Sequence, residues 1–445
     1  MKILETTTCI FIVLFFLSIS NLSFAQYSIT GKVLNASNNL PLESATVFVN
    51  TTSYGTKTDR YGNFVLRNVK AGYYELIFSM VGFKTYNVQV YVQHADKMTS
   101  TVSLEEKVIP LIEVNITKAR RPGSKYMEMF KREILGTSKF AEQCRIINPE
   151  VIKLSFDKEE NKLTAYSTDF MIIENKALGY HLKYLVEDFE RNEKNELISY
   201  VGYVLFEAME GSEKQQQEWS EKRIEAYTGS LQHFLRSLLG NNINKYKETG
   251  FLVMTDTRME NRYRLPDSII SKKISLFRGK SGKIEQDSLF FWTRMLQQPK
   301  YIEVLDTTKL KAKQVVHLTD SKGLYSLRII TDTNYVNRWA YLKAPGIKRT
   351  DLRCDTCQFK NSLYVTYIKY MPEKSKKTYQ SLYRPASSIT PTPEMDKMAS
   401  LISILDGNVF FDWNGVIVNP MSLKLERYWA KPRLGDLLPI DYAPM

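Results

Sequence analysis

From Ser28 to Leu104 the chain alternates apolar and polar residues in short runs broken by turn formers. The runs read SITGKVL, PLESATVFVN, TKTDRYGNFVL, GYYELIFSMVGF, YNVQVYVQ and TSTVSL. A period of two over such short segments predicts strands, and several in succession predict a small β-sandwich. Ile29, Gly31 and Val33 fall on one face of the first run, and Ala45, Val47 and Val49 on one face of the second. Tyr74, Leu76, Phe78 and Met80 share a face further on, as do Val88, Val90 and Val92. Strand side chains repeat every two residues, so each set is expected to bury together.

One turn in this stretch carries a distinct signature, Thr58-Asp59-Arg60-Tyr61-Gly62-Asn63-Phe64. Asp59 and Gly62 suit the first and fourth positions of a type I turn. The carboxylate accepts backbone hydrogen bonds there, and glycine tolerates the exit geometry. Phe64 is expected to drop back into the core.

Residues 106–124 read as a linker. They contain Pro110 and the Arg120-Arg121-Pro122-Gly123 break, where the residue before proline and the flexible glycine oppose a continuous element. From Ser124 onward the pattern is mixed. Ser124 is the expected cap of a helix to Leu135, with Tyr126, Met127, Phe130 and Ile134 at helical spacing. Strands are expected over 163–170, 180–189 and 199–207. A charged helix follows over 212–227, stopped by Gly229, and Ser230 caps a second helix ending at Gly240. A third helix is expected over 287–297, with Leu289, Phe290, Trp292 and Leu296 as its apolar side. Further strands are expected over 301–305, 314–318, 326–331 and 363–370. Hairpins follow over 401–428, with Asp406-Gly407-Asn408 and Trp413-Asn414-Gly415 as turn signals. The fold class expected is multidomain: an N-terminal all-β, seven-stranded sandwich over 26–105, then a larger mixed α+β, β-rich domain over 125–445.

Composition narrows the setting. Residues 1–25 have the form of a secretory signal peptide. Lys2 precedes the apolar run from Cys9 to Ile19, and Ser23-Phe24-Ala25 offers small residues at the −3 and −1 positions of a cut before Gln26. The run is too short to span about 30 Å of hydrocarbon, so the mature chain is expected to have no transmembrane segment. Cys9 lies inside the run, which argues against a lipoprotein. The formal charge of +13 suits a solvated surface or an anionic polymer. Basic blocks interleaved with aromatics are missing, and export makes nucleic acid an unsuitable partner.

The order ITGKV, PLESATV, T-D-x-x-G-x-F, G-Y-Y-x-L and VGF resembles the carboxypeptidase-regulatory-like domain, a prealbumin-like sandwich common in exported proteins of the Bacteroidetes. In metallocarboxypeptidases that domain is a non-catalytic appendage, and the zinc site needs a His-x-x-Glu pair with a further His. The four histidines here, His94, His181, His233 and His317, have no Glu three residues later. Leu111 to Thr117, LIEVNIT, resembles the segment that joins this domain to the plug of TonB-dependent receptors, but no plug sequence follows. The segments CRIINP, IENKALGY, EKRIEAYTGSLQHFLRSL and DLLPIDY resemble the uncharacterised region that follows the sandwich in such proteins.

Candidate chemistry is sparse. In an oxidising compartment a Cys354–Cys357 disulfide is the leading reading of Cys354-Asp355-Thr356-Cys357, with a free thiol pair as the alternative. A redox centre would need a helix N-terminus at the first cysteine, and zinc would need further ligands nearby. His233 and His181 read as hydrogen-bonded packing residues, since the chain has no Gly-x-Ser-x-Gly elbow. Gly279-Lys280-Ser281-Gly282 departs from the phosphate-loop fingerprint, with Ile274 where a glycine is required. Glu159-Glu160, Asp188-Glu190 and Glu218-Glu221 are carboxylate pairs that spacing alone does not distinguish from solvated faces.

No catalytic residue, metal or cofactor is expected from the sequence. It reads as an exported, non-catalytic binding or assembly protein of the cell envelope, periplasmic or outer-membrane-associated, whose partner is an envelope protein or a glycan. The alternatives are a glycan- or peptide-directed hydrolase with the sandwich as accessory, or a component associated with TonB-dependent uptake.

Overall fold

The computed structural model describes residues 26–92, 97–98, 101–107, 124–192, 197–239, 250–260, 264–298, 300–306, 316–318, 324–327, 341–342, 360–367, 399–405 and 409–444. Residues 1–25, the cysteine pair Cys354 and Cys357, and the Asp406-Gly407-Asn408 turn lie outside these.

The first eight strands are β1 (Gln26–Asn35), β2 (Thr46–Val49), β3 (Gly55–Lys57), β4 (Asn63–Lys70), β5 (Gly72–Ser79), β6 (Tyr86–Val92), β7 (Lys97–Met98) and β8 (Val102–Leu104). They make two sheets. In one, β1 lies between β4 and the parallel β7 and β8; the other runs β3-β2-β5-β6. β7 and β8 pair with successive parts of β1, Ile29 opposite Lys97 and Val33 opposite Val102. Taken as one interrupted strand, they make the sandwich seven-stranded. The alternating residues meet between the sheets: Ile29, Val33, Val47, Val49, Leu76, Phe78 and Val92 are buried there. Backbone pairing continues through Lys107, whose N–H donates to the Gly82 carbonyl at 2.7 Å.

The simple alternation fails at two positions. Phe48 and Ile77 point away from this core, yet both are fully buried. They pack with Leu185 and Leu205, flanked by Phe170 and Tyr203. Leu185, Leu205 and Tyr203 belong to a third sheet, formed by β9 (Cys144–Ile146), β10 (Ile152–Asp157), β11 (Lys162–Ser167), β12 (Met171–Asn175), β13 (Tyr180–Asn192) and β14 (Leu197–Ala208), and Phe170 just precedes β12. The order of this sheet is β10-β11-β13-β12-β9, and β14 pairs with β13. The β13–β14 hairpin bulges between Val186 and Asp188. Helix α1 (Lys125–Leu135) buries Met127, Phe130 and Ile134, and Ser124 caps it by accepting from the Met127 N–H. Helix α2 (Glu213–Tyr227) is mostly exposed and buries Trp219 and Tyr227.

The chain divides into two compact units, residues 1–227 with 432–445, and residues 228–431. The second unit is thus inserted in sequence between two parts of the first. Its elements are α3 (Leu231–Ser237), β15 (Phe251–Glu260), α4 (Asp267–Phe277), α5 (Lys283–Gln297), β16 (Tyr301–Asp306), β17 (Val316–Leu318), β18 (Tyr325–Leu327), β19 (Tyr341–Leu342), β20 (Lys360–Tyr367), β21 (Ala399–Ile404), β22 (Val409–Phe411) and β23 (Leu423–Arg427). One sheet has the order β19-β16-β15-β20-β21-β23 and another β17-β18-β22. The core of this unit gathers Phe234, Leu235, Phe251, Leu363, Ile402, Phe411 and Trp429. Helix α4 has no counterpart in the sequence reading. Its isoleucines, Ile269, Ile270 and Ile274, are β-branched and favour strands over helices.

Candidate functional site

The signature turn is closed by its own atoms. The Asp59 carboxylate accepts the N–H groups of Tyr61 and Asn63, each at 2.8 Å. The Gly62 N–H donates to the Asp59 carbonyl at 2.9 Å. The Asn63 and Tyr61 N–H bonds hold the Asp59 carboxyl below the usual carboxylate range, the Asn63 N–H contributing most. Thr58 is buried; its hydroxyl donates to the Leu42 carbonyl at 2.6 Å and accepts the Ala45 N–H at 2.9 Å. Phe64 packs edge-on against Phe78, ring centroids 5.6 Å apart. The Asp59 and Gly62 atoms named here serve the turn itself, and the Thr58 hydroxyl ties it to the Leu42–Ala45 segment.

The candidate histidines and carboxylates also serve structure. His233 Nδ1 accepts the Gly229 N–H at 3.1 Å, and its ring meets Phe251 and Tyr367. His181 lies on β13 between Glu174 of β12 and Glu207 of β14. Lys162 pairs with Glu160 at 3.0 Å and Glu190 at 3.7 Å. Asp157 accepts the N–H groups of Glu159 and Glu160 and so shapes that turn. Among the described residues no three His, Cys, Asp or Glu side chains are grouped to hold a metal ion. Cys144 is half-buried, and burial followed by the nearby Asp436 charge pushes its thiol up to about 12.

Four of the segments singled out in the sequence meet in the first unit. Asn175, fully buried, donates to the Gly435 carbonyl at 3.0 Å and accepts the Leu178 N–H at 3.0 Å. The Arg223 guanidinium donates to the Leu178 and Gly179 carbonyls at 2.7 and 3.0 Å and lies 4.0 Å over the Tyr180 ring. Gly179 has φ +69, and a Cβ there would sit 2.2 Å from the Trp219 ring. Tyr227 meets Tyr442 edge-on. IENKALGY, EKRIEAY and DLLPIDY thus build one anchor that fixes the C-terminal tail, with Cys144 of CRIINP beside it.

A group of exposed apolar residues lies elsewhere, on the α4–α5 hairpin. Helix α5 has no buried residue. Phe290, Phe291 and Ile284 are 69%, 53% and 79% exposed, and on α4 Leu276 is 55% exposed. Phe290-Phe291-Trp292 was legible as a warning in the sequence. Successive helical residues lie 100° apart, so three aromatics in a row do not fit one buried face. Arg264 staples the open end of the hairpin, donating to the Asp267 carboxylate and the Leu296 and Gln298 carbonyls.

Residues 29–116 match the family described as CarboxypepD_reg-like domain. A search of curated proteins finds no significant relative of the chain. Among solved structures, one match is an interface mutant of a type II cohesin–X-dockerin complex from Acetivibrio cellulolyticus. It is 25% identical, with a TM-score of 0.16, over 18% of this chain and 56% of that one, so little more than half of that chain is spanned. A putative carbohydrate binding protein from Bacteroides uniformis matches at 13% identity and TM-score 0.16, over 41% of this chain and 79% of that one. A putative membrane-associated protein of unknown function from Bacteroides fragilis matches at 14% identity and TM-score 0.15, over 42% and 83%. The match and the two-sheet sandwich of the described strands agree: residues 29–116 are similar to the carboxypeptidase-regulatory-like domain, and a larger β-rich region with some helices follows.

Proposed function

We propose that the chain is an exported, non-catalytic binding or assembly protein of the cell envelope, with the sandwich as accessory module and the α4–α5 hairpin as its contact surface. One observation carries this reading. Large apolar side chains stand in solvent on the hairpin, whereas Asp59, His233 and the Glu160–Lys162–Glu190 set are engaged in a turn, a helix start and ion pairs. An exposed cluster of large apolar residues marks an interaction surface. No helix among the described residues is long and apolar enough to cross a membrane.

The test pairs localisation with turnover. Protein purified from its native host is expected to begin at Gln26 and to fractionate with the envelope. It is expected to release no product from peptidoglycan, envelope polysaccharide or casein above the buffer control. An intact Met1, recovery wholly in the cytosol, or catalytic release of sugar or peptide contradicts the reading.

A further inference from the structure

The tip of the hairpin combines three features. Arg278, Lys280 and Lys283 fall within six residues that contain no acidic side chain. Two large apolar residues close to them in sequence, Leu276 and Ile284, are 55% and 79% exposed. A Cβ added at Gly279, where φ is +82, would meet nothing within 4 Å, so the space at that position of the turn is open. Along α5 the same character continues through Phe290 and Phe291. From Arg264 to Lys300 there are eight Lys or Arg against three Asp or Glu. One of the three, Asp267, is paired with both Arg264 and Lys300, which leaves six exposed Lys or Arg against Glu285 and Asp287 along the two helices and the turn between them.

We propose that this hairpin docks on an anionic lipid surface, with Leu276, Ile284, Phe290 and Phe291 entering the headgroup boundary and Arg278, Lys280 and Lys283 meeting lipid phosphates. The inference rests on the contact-surface reading above and names its partner. Phenylalanine and leucine beside lysine and arginine are the composition of interfacial helices, which bind by buried apolar area plus attraction to anionic lipid. A protein partner would need a groove to receive a basic tip with apolar residues on more than one side. A bilayer accepts such a tip without shape complementarity. Lys273 Nζ, 5.9 Å from the Trp292 ring, places a cation beside an aromatic of the kind favoured at the membrane–water boundary.

The experiment is vesicle co-sedimentation of the full chain, using phosphatidylcholine vesicles with and without phosphatidylglycerol. Binding is expected only with phosphatidylglycerol. Raising salt from about 0.1 M to about 1 M shortens the screening length from roughly 10 Å to roughly 3 Å and is expected to weaken binding at least tenfold. Phe290→Ser with Phe291→Ser, and separately Lys280→Glu with Lys283→Glu, are each expected to lower binding at least tenfold while circular dichroism and Tm stay unchanged. Equal binding to both vesicles, or binding that survives both variants, overturns the proposal. Absence of binding overturns it too. If the wild type then self-associates in light scattering and the double serine variant does not, the contact-surface reading stands with a second copy as occupant. If neither self-associates, that reading loses its support as well.

Discussion

Two aspartates hold two turns by the same device. Asp59 accepts from the residues two and four ahead, its carbonyl accepts the Gly62 N–H, and its own N–H donates to Asn63. Asp412 accepts from Asn414 and Val416, its carbonyl accepts the Gly415 N–H, and its N–H donates to Val416. Both glycines have positive φ, +78 at Gly62 and +76 at Gly415. At Gly62 a Cβ would sit 2.4 Å from the Val33 carbonyl oxygen, a backbone atom that does not yield. We expect Gly62→Ala to cost at least about 1–2 kcal/mol from the left-handed conformation alone, with the clash added, read as a lower melting temperature. The Asp59 carboxyl is held low by its N–H donors. A depressed carboxyl contributes stability above its unfolded value, about 3.9, and loses it as pH falls through the folded value. Asp59→Asn is therefore expected to flatten the acid limb of the melting temperature below about pH 4; an unchanged acid limb contradicts this role. Cys144, with its thiol pushed up to about 12, is expected to resist iodoacetamide in the folded chain at neutral pH and react after denaturation. Rapid labelling of the native protein would refute that.

At the scale of elements, alternation alone decided which sandwich residues face each other, because one face of each strand meets the other sheet. It gave no account of Phe48 and Ile77. Their burial depends on Leu185 and Leu205, more than a hundred residues away in sequence. Local pattern carries no such information. The helix caps at Ser124 and Ser230 were readable because a cap is a local bond, to the Met127 and His233 N–H groups here. The α4 helix was not, since its β-branched residues argue locally for a strand. The candidate site was half visible: three aromatics in a row cannot share one buried face, but which of them stay in solvent depends on packing that local spacing does not specify. The junction yields a prediction. Leu205→Ala is expected to cost about 2–5 kcal/mol, as for other buried leucines, whereas a change confined to solvent would cost little. We further propose that residues 26–107 fold alone, since the core around Ile29, Val47, Leu76 and Phe78 closes within them. The isolated fragment is expected to be β-rich and to melt cooperatively. It would expose Phe48 and Ile77 and so self-associate, and Phe48→Ser is expected to relieve this. An unfolded fragment would mean that the sandwich depends on its neighbour.

At the scale of the whole molecule, the tail from Pro432 onward belongs to the first unit although the second is inserted before it. The Ile440 N–H donates to the Thr51 carbonyl at 2.8 Å, and the Asp441 carboxylate accepts from the Ser53 N–H and hydroxyl. On its other side the same loop is held by β14, the Thr51 N–H donating to Val204 at 2.7 Å and the Phe206 N–H to Thr52 at 2.9 Å. Ending the chain at Lys431 is expected to leave the buried Asn175 amide without its Gly435 acceptor, at about 1–3 kcal/mol for that group alone. Faster tryptic cleavage within residues 124–227 would report it, and an unchanged digestion pattern would contradict the anchor. The contact surface proposed above is the α4–α5 hairpin. Hydrogen–deuterium exchange of the full chain, with and without envelope vesicles from its native host, tests that most directly. The account predicts slowed exchange on adding vesicles, concentrated in residues 267–297 and lost in the Phe290→Ser, Phe291→Ser variant. Protection confined to the sandwich or the tail anchor, with 267–297 unchanged, would contradict it.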